Sequence, residues 1–150
     1  MKWNFEQPKE DGYYLTTQFS NCFEEVRVHP VVFDKGEWVS SVAYPRAECR
    51  DVIFAWAEFP KWNDKGWNEI PHFYDDRNFR DYFPKEDGRY IVKGEWGWNP
   101  YTEKYVIVHS LVNGEWHKYE YKHDFVYGWM ELPDPCDITG KEPIWNEMKK

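Results

Sequence analysis

The sequence predicts an all-β protein with minor helix, in which two tandem copies of a four-stranded antiparallel meander pack as one pseudo-symmetric unit. Three observations predict this fold class: an internal repeat, runs of alternating β-branched and aromatic residues, and Gly, Pro, Asn and Asp between those runs. Aromatic residues make up 21% of the 150 residues, including 10 Trp. Because disordered chains are poor in aromatic residues, this composition indicates a folded protein.

An internal duplication carries most of this prediction. Pro-Lys-Glu-Asp-Gly at 8–12 recurs at 84–88, Gly-Glu-Trp at 36–38 recurs at 114–116, and the Trp-to-Pro segment at 56–60 recurs at 129–133. Between these matches, Val-Arg-Val-His at 26–29 aligns with Val-Ile-Val-His at 106–109. The expected organisation is a first β module over 1–60, an aromatic-rich connector over 61–78, a second β module over 79–135, and a tail over 136–150.

Each copy is expected to form four strands, which in the second copy cover residues 89–93, 105–112, 115–121 and 125–132. Asn113-Gly114 predicts a two-residue type I′ hairpin turn, because both residues tolerate positive φ. In the first copy, Asp34-Lys35-Gly36 predicts a connection one residue longer, with Gly36 in the left-handed position of a bulged turn. In the tail, Pro143 predicts a short helix over 143–148, because proline is favoured in a first helical turn.

The large aromatic residues that recur in both copies are the expected core. They are Tyr14, Trp38 and Trp56 in the first copy and Tyr90, Trp116 and Trp129 in the second. A sheet of about 55 residues is only marginally stable by itself, because so small a domain buries too little of its surface. We therefore expect the two sheets to share one core.

The second copy carries Tyr-Ile-Val at 90–92, Asn-Gly-Glu-Trp at 113–116 and Trp-Met-Glu-Leu-Pro-Asp-Pro at 129–135. With these motifs it resembles the domain-of-unknown-function family five-fifty-one, short β-rich proteins of bacteria and their phages. That family closes on His-Trp-Met-x-Leu-Pro, whereas here Gly128 precedes Trp129 and Ala55 precedes Trp56, so no role of that histidine carries over. The resemblance implies the β fold and a phage or prophage setting, and it implies no activity.

Composition argues against several classes of function. The chain carries 27 Asp and Glu against 19 Lys and Arg, a formal net charge of -8, and nucleic-acid binding needs clustered positive charge instead. A mean hydropathy of -0.90 and the absence of a signal peptide or long apolar run predict a cytoplasmic protein without membrane contact. The cysteine and histidine spacings match no disulfide framework or metal motif, so we expect no metal and no cofactor.

Two unrepeated aromatic segments supply the candidate binding residues. Residues 94–101 form an insertion with glycines and a proline, which predicts a loop or hairpin tip whose rings either bind a ligand or fold over the sheet edge. The connector is too aromatic for a flexible linker, so it either packs across the modules or lines a crevice between them. The candidates are Trp96, Trp98 and Tyr101 in the insertion, and Trp62, Trp67, His72 and Tyr74 in the connector.

These features favour a non-enzymatic accessory module of phage or prophage type that binds another protein. No nucleophile elbow or phosphate loop is present, and no catalytic residue is predicted, while Trp and Tyr are enriched in protein-binding hot spots. One alternative is a carbohydrate-binding or carbohydrate-processing domain, which predicts a flat aromatic platform beside a pair of acidic groups; Glu58 and Glu131 recur in both copies and are more readily structural residues than such a pair. A second alternative is an acidic inhibitor of a host defence system. The sequence leaves the oligomeric state open.

Overall fold

The computed structural model describes residues 1–20, 24–39, 51–71, 79–98, 101–116 and 124–146. In these ranges the regular structure is β-strand, apart from one turn of 3-10 helix at Phe79–Tyr82. None of the helical structure in this part of the chain is long and apolar enough to cross a membrane. The strands are β1 (Gly12–Ser20), β2 (Glu25–Asp34), β3 (Glu37–Val39), β4 (Asp51–Ala57), β5 (Asn68–Glu69), β6 (Gly88–Trp98), β7 (Tyr101–Val112), β8 (Glu115–Trp116), β9 (Asp124–Glu131) and β10 (Trp145–Asn146).

The strands form two five-stranded antiparallel sheets, so the predicted all-β fold is confirmed. Unit 1, made of Met1–Phe59 and Pro133–Lys150, contains the sheet β10-β4-β1-β2-β3. Unit 2, made of Pro60–Leu132, contains the sheet β5-β9-β6-β7-β8. The connector therefore belongs to the second unit and the tail to the first. That the two copies pack as one pseudo-symmetric unit stays a prediction.

Within each sheet, the strand order differs from that of a simple meander. The first three strands of each copy are consecutive neighbours, but β4 returns to pair with β1, and β9 returns to pair with β6. This is the order of a Greek key, in which the fourth strand comes back beside the first. A tight hairpin forces consecutive strands to be neighbours, whereas β4 and β9 begin well after the preceding strand in the sequence and pair with the first strand of their copy.

The two sheets repeat the same register and the same irregularity. Thr16 of β1 lies opposite Trp56, and the equivalent Val92 of β6 lies opposite Trp129. One position further along, the register shifts in both sheets, between residues 17 and 18 in β1 and between residues 93 and 94 in β6. The bulge is thus part of the repeated unit, because it occurs at the same position of both copies.

The repeat alignment needs one correction in the second strand of each copy. Tyr14 lies opposite Val31, whereas the equivalent Tyr90 lies opposite His109. The counterpart of His109 is therefore Val31 and not His29, as the sequence alignment has it. The second copy also has the longer hairpin, in which β6 and β7 span 11 and 12 residues against 9 and 10 for β1 and β2.

Equivalent aromatic side chains form both cores. The Tyr14 ring lies 6.2 Å from the Trp38 ring and 4.7 Å from the Trp56 ring. The Tyr90 ring has the equivalent neighbours in the second copy, the rings of Trp116 at 6.1 Å and Trp129 at 5.4 Å. The indoles of Trp38 and Trp116, which stand in the third strand of their copies, are buried. The predicted core aromatics therefore pack together in each unit, around the aliphatic residues of the same sheet face.

The tail forms an edge strand instead of a helix. The prediction of a helix over 143–148 is wrong where the structure describes it, because Trp145–Asn146 form β10 opposite Ile53 and Val52. The backbone N–H of Ile144 also donates to the carbonyl of Ile53, at 2.8 Å. The edge of β4 offers backbone groups that need partners, and this long-range pairing outweighs a local helical preference.

The hairpin turns of the two copies are alike, so the predicted longer connection in the first copy is wrong. Asp34 pairs directly with Glu37, which leaves Lys35 and Gly36 as a two-residue turn. Lys35 has φ 51° and Gly36 has φ 79°, close to the 54° and 76° of Asn113-Gly114. A type I′ turn needs positive φ at both positions. The carboxylate of Asp11 accepts a hydrogen bond from the N–H of Lys35 at 2.9 Å and holds the turn.

Because a lysine side chain disfavours the left-handed region that asparagine tolerates, Lys35→Asn should raise the free energy of unfolding of unit 1 by about 1 kcal/mol. Urea denaturation combined with hydrogen exchange of the β1–β3 amides measures the change. The reciprocal change Asn113→Lys is the matched control and should destabilise unit 2 by a similar amount. A stability that is unaltered by both changes would contradict the assignment of equivalent turns.

Candidate functional site

A buried lysine distinguishes unit 2 from unit 1. Lys93 stands in β6, the central strand of its sheet, and is only 5% exposed. Its ammonium donates to the Glu69 carboxylate at 2.5 Å and to the backbone carbonyl of Trp62 at 3.2 Å. A charge removed from water needs a partner and hydrogen bonds. Both groups that satisfy Lys93 come from the connector, which is thereby held on this face of the sheet.

Two indole rings complete the surroundings of the Lys93 ammonium. Its Nζ atom lies 5.6 Å from the centroid of the Trp62 ring and 5.3 Å from that of the Trp67 ring. At these distances the ring quadrupole attracts a cation. Opposite Lys93 stands Gly128, where a Cβ atom would lie 2.9 Å from the Lys93 Cε atom. Glycine at this position leaves the space that the lysine side chain occupies.

Short-range hydrogen bonds give the connector the shape that presents both indoles to Lys93. The Asp64 N–H donates to the carbonyl of Lys61 at 3.0 Å, and the Asp64 carboxylate accepts from the Lys61 N–H at 2.8 Å. The indole N–H of Trp67 then donates back to the same Lys61 carbonyl, at 3.0 Å. Gly66 provides the positive φ of 101° that closes this turn before β5.

The outer part of the site is a partly exposed aromatic surface. We define the Trp62 surface as the side chains of Trp62, Lys104, Phe125 and Tyr127. The Trp62 ring lies 5.9 Å from the Tyr127 ring and 5.1 Å from the Lys104 Nζ atom. Phe125 of β9 is 49% exposed. Phe125 and Lys104 both stand opposite Glu95 of β6, and directly opposed residues share one sheet face.

The bulge in β9 determines the placement of Tyr127. Lys93 lies opposite Gly128 and Gly94 lies opposite Val126, which leaves Tyr127 as the extra residue. Bulges of this kind redirect a side chain. The Tyr127 hydroxyl donates to the Glu95 carboxylate at 3.0 Å. Burial, and then the hydrogen bond and charge of Glu95, raise the pKa of the Tyr127 phenol above its ordinary value.

Unit 1 lacks this chemistry at the same position of the fold. The residue equivalent to Lys93 is Thr17, which is fully buried and stands opposite Ala55 rather than a glycine. The Thr17 hydroxyl accepts a hydrogen bond from the backbone N–H of Cys136, at 3.1 Å. The first sheet thus holds the tail with a neutral hydrogen bond, whereas the second holds the connector with an ammonium group.

The structure brings two of the sequence-predicted site residues together. Trp62 and Trp67 both contact Lys93, but Trp67 is buried, so only Trp62 is partly exposed at the surface. The backbones of Trp96, Trp98 and Tyr101 lie in β6 and β7 and not in a loop, and Trp98 pairs with Tyr101 at the end of the hairpin. The side chains of these three residues, and the whole of His72 and Tyr74, lie outside the described part of the structure.

Lys93, Glu69, Lys104 and Tyr127 also belong to the site, although no sequence pattern pointed to them. A lysine between two apolar or small residues of a strand is typical of a solvated face, so Lys93 gave no signal in one copy alone. The difference between the copies is the signal, because Thr17 and Ala55 of the first become Lys93 and Gly128 of the second. In the part of the chain that the structure describes, no group of three or more His, Cys, Asp or Glu residues is arranged to hold a metal ion.

Comparison with models of known protein families, with curated proteins and with solved structures gave no match. The resemblance of the second copy to the domain-of-unknown-function family five-fifty-one therefore stays a prediction.

Replacing the buried ammonium by an apolar chain of similar length, Lys93→Met, should loosen the connector. The Glu69 carboxylate is 62% exposed and returns to water, but the Trp62 carbonyl loses its donor, and an unsatisfied hydrogen-bonding group costs about 1–3 kcal/mol. The exposed Lys61 and Lys65 then become trypsin sites, and cleavage there should rise by roughly tenfold or more, since about 1.4 kcal/mol corresponds to tenfold. Mass spectrometry of a limited digest measures the rate.

Lys104→Met is the matched control, because it also removes an ammonium group from the Trp62 ring but leaves Glu69 and the Trp62 carbonyl bonded to Lys93. Cleavage at residues 61 and 65 should stay close to that of the unaltered protein. Equal acceleration in both variants would show that the connector is not held by Lys93.

Proposed function

We propose that this chain is a non-enzymatic, protein-binding module that holds its partner on the Trp62 surface. In this proposal it is a cytoplasmic accessory protein of phage or prophage type that does not contact nucleic acid directly. The phage setting derives from the family resemblance alone. The binding role is supported by the described contacts of unit 2.

One observation carries the proposal: Trp62 is fixed in place and yet partly exposed. Its backbone carbonyl accepts from buried Lys93, and its ring contacts Tyr127 and two ammonium groups. A large side chain that is already ordered loses little conformational entropy when it binds. Trp and Tyr in such positions are the residues that most often dominate binding energy.

The composition of the surface also supports a protein partner. Phe125, 49% exposed on the same sheet face as Lys104, adds apolar area to the Trp62 surface, while Lys104 and the neighbouring Glu95 supply charges of both signs. An apolar centre with a polar rim is typical of protein interfaces. The mixed charge favours this proposal over an acidic inhibitor, which needs one coherent negative face.

Carbohydrate binding is the second candidate function. The Trp62 ring, the Tyr127 ring and the Glu95 carboxylate lie next to one another, and rings beside a carboxylate also suit a sugar. The Trp62 surface contains one indole among its described residues, and one indole provides less stacking area than the extended aromatic platform that this alternative predicts, so protein binding is the stronger proposal.

The proposal is tested by removing the exposed rings one at a time. Trp62→Ala and Phe125→Ala should each lower the amount of partner captured from a lysate of the host by about tenfold or more, the loss typical of hot-spot residues. Val112→Ala is the control, because Val112 is a similarly exposed apolar residue, at 49%, outside the Trp62 surface. Hydrogen exchange of the β6–β9 amides confirms that the variants remain folded.

A captured protein that Trp62→Ala and Phe125→Ala retain in full would contradict the proposal. A saturable change in tryptophan fluorescence on titration with an oligosaccharide, lost in Trp62→Ala, would instead support carbohydrate binding.

A further inference from the structure

We propose that the Trp62 ring and the Glu95 carboxylate form a receptor for a positively charged side chain, a lysine or arginine of the partner, and that Lys104 covers the ring of this receptor in the free protein. This inference rests on the proposed function and names the chemistry that the partner presents to the same surface.

The structure already shows cations against the Trp62 ring. The Nζ atoms of Lys93 and Lys104 lie 5.6 Å and 5.1 Å from its centroid. The Lys93 side chain is 6% exposed and bonded to Glu69, so this contact is a fixed part of the interior. Lys104, in contrast, is exposed on β7. Its side chain can leave the ring at little cost, because an exposed cation–π contact is weak.

A carboxylate shares the sheet face of Lys104 and is bonded to the Tyr127 hydroxyl. Glu95 lies directly opposite Lys104 in the register of β6 and β7. It is half-buried and accepts from the Tyr127 hydroxyl at 3.0 Å, which orients the carboxylate beside the ring cluster. Indole face, phenol ring and oriented carboxylate together are the groups that bind an ammonium or guanidinium ion.

The charge of the whole chain favours the same partner. Its formal net charge is -8, and opposite net charges accelerate association. A basic partner side chain that reaches Trp62 replaces one ammonium group by another, so the receptor keeps its chemistry on binding. Lys104 then acts as an internal competitor that lowers the apparent affinity for any cation.

The competition gives the size of the expected effect. An exposed cation–π contact of about 0.5–1 kcal/mol means that Lys104 occupies the ring most of the time, so its removal should lower the Kd for an added cation roughly three- to sixfold. The probe is Nα-acetyl-lysine methylamide, with the uncharged norleucine analogue as the comparison. The indole N–H signal of Trp62 in a proton–nitrogen spectrum reports binding, and Trp62→Phe assigns that signal.

Four proteins are compared: the unaltered chain, Lys104→Met, Glu95→Gln, and the control Lys141→Met. Lys141 also lies over a ring, with its Nζ atom 4.6 Å from the centroid of Phe5, but it belongs to unit 1. We expect Lys104→Met to bind the lysine probe more tightly, Glu95→Gln to bind it more weakly, and Lys141→Met to match the unaltered chain. The norleucine probe should shift the Trp62 signal in none of them.

Equal responses of the unaltered chain and Lys104→Met, or equal responses to the charged and uncharged probes, would overturn the inference. If Trp62→Ala still loses its protein partner in that case, the proposed function stands without the cation receptor. A lower Kd of Lys104→Met for the lysine probe supports the receptor. If Trp62→Ala nevertheless retains every captured protein, that retention contradicts the proposed function and leaves the receptor supported.

Discussion

The organisation of unit 2 depends on one buried ammonium group. Lys93 stands in the central strand of the sheet at 5% exposure, and a charge in that position destabilises the fold unless it is paired. Both of its hydrogen-bond acceptors, the Glu69 carboxylate and the Trp62 carbonyl, belong to the connector. The connector must therefore lie on this sheet face, and with it come the edge strand β5 and the fixed position of the Trp62 ring.

The two copies show how one scaffold acquires two different surfaces. Strand order, register, bulge and hairpin turn are common to both sheets. At the position of Lys93, however, the first copy has Thr17, whose hydroxyl accepts a hydrogen bond from the N–H of Cys136. This neutral hydrogen bond holds the tail and, unlike an ammonium group, attracts no indole ring. The aromatic surface thus follows from a lysine and a glycine on neighbouring strands, and the shared backbone tolerates both solutions.

The sequence predicts those features of the fold that arise from interactions between residues close together in the chain. The β-strands and the Asn113-Gly114 turn follow from alternation and turn chemistry, and the structure confirms them. The return of β4 to β1 and the extended conformation of Trp145 arise from pairing with distant edges, which local patterns do not encode. Lys35 in a left-handed conformation was missed because the Asp11 carboxylate that supports it comes from far along the chain.

The site was predictable only in part, for the same reason. Aromatic excess in the connector pointed to Trp62 and Trp67, but their common partner Lys93 is specified by three separated segments that meet only in the fold. Comparison of equivalent positions in the two copies is the one sequence signal that would have found it, since Thr17 and Lys93 differ in charge at a buried position. A double-mutant cycle of Lys93→Met and Glu69→Gln, followed by urea unfolding, tests the central claim most directly. A coupling free energy of about 1 kcal/mol or more is expected if the ammonium group holds the connector, whereas effects that add within about 0.3 kcal/mol would contradict it.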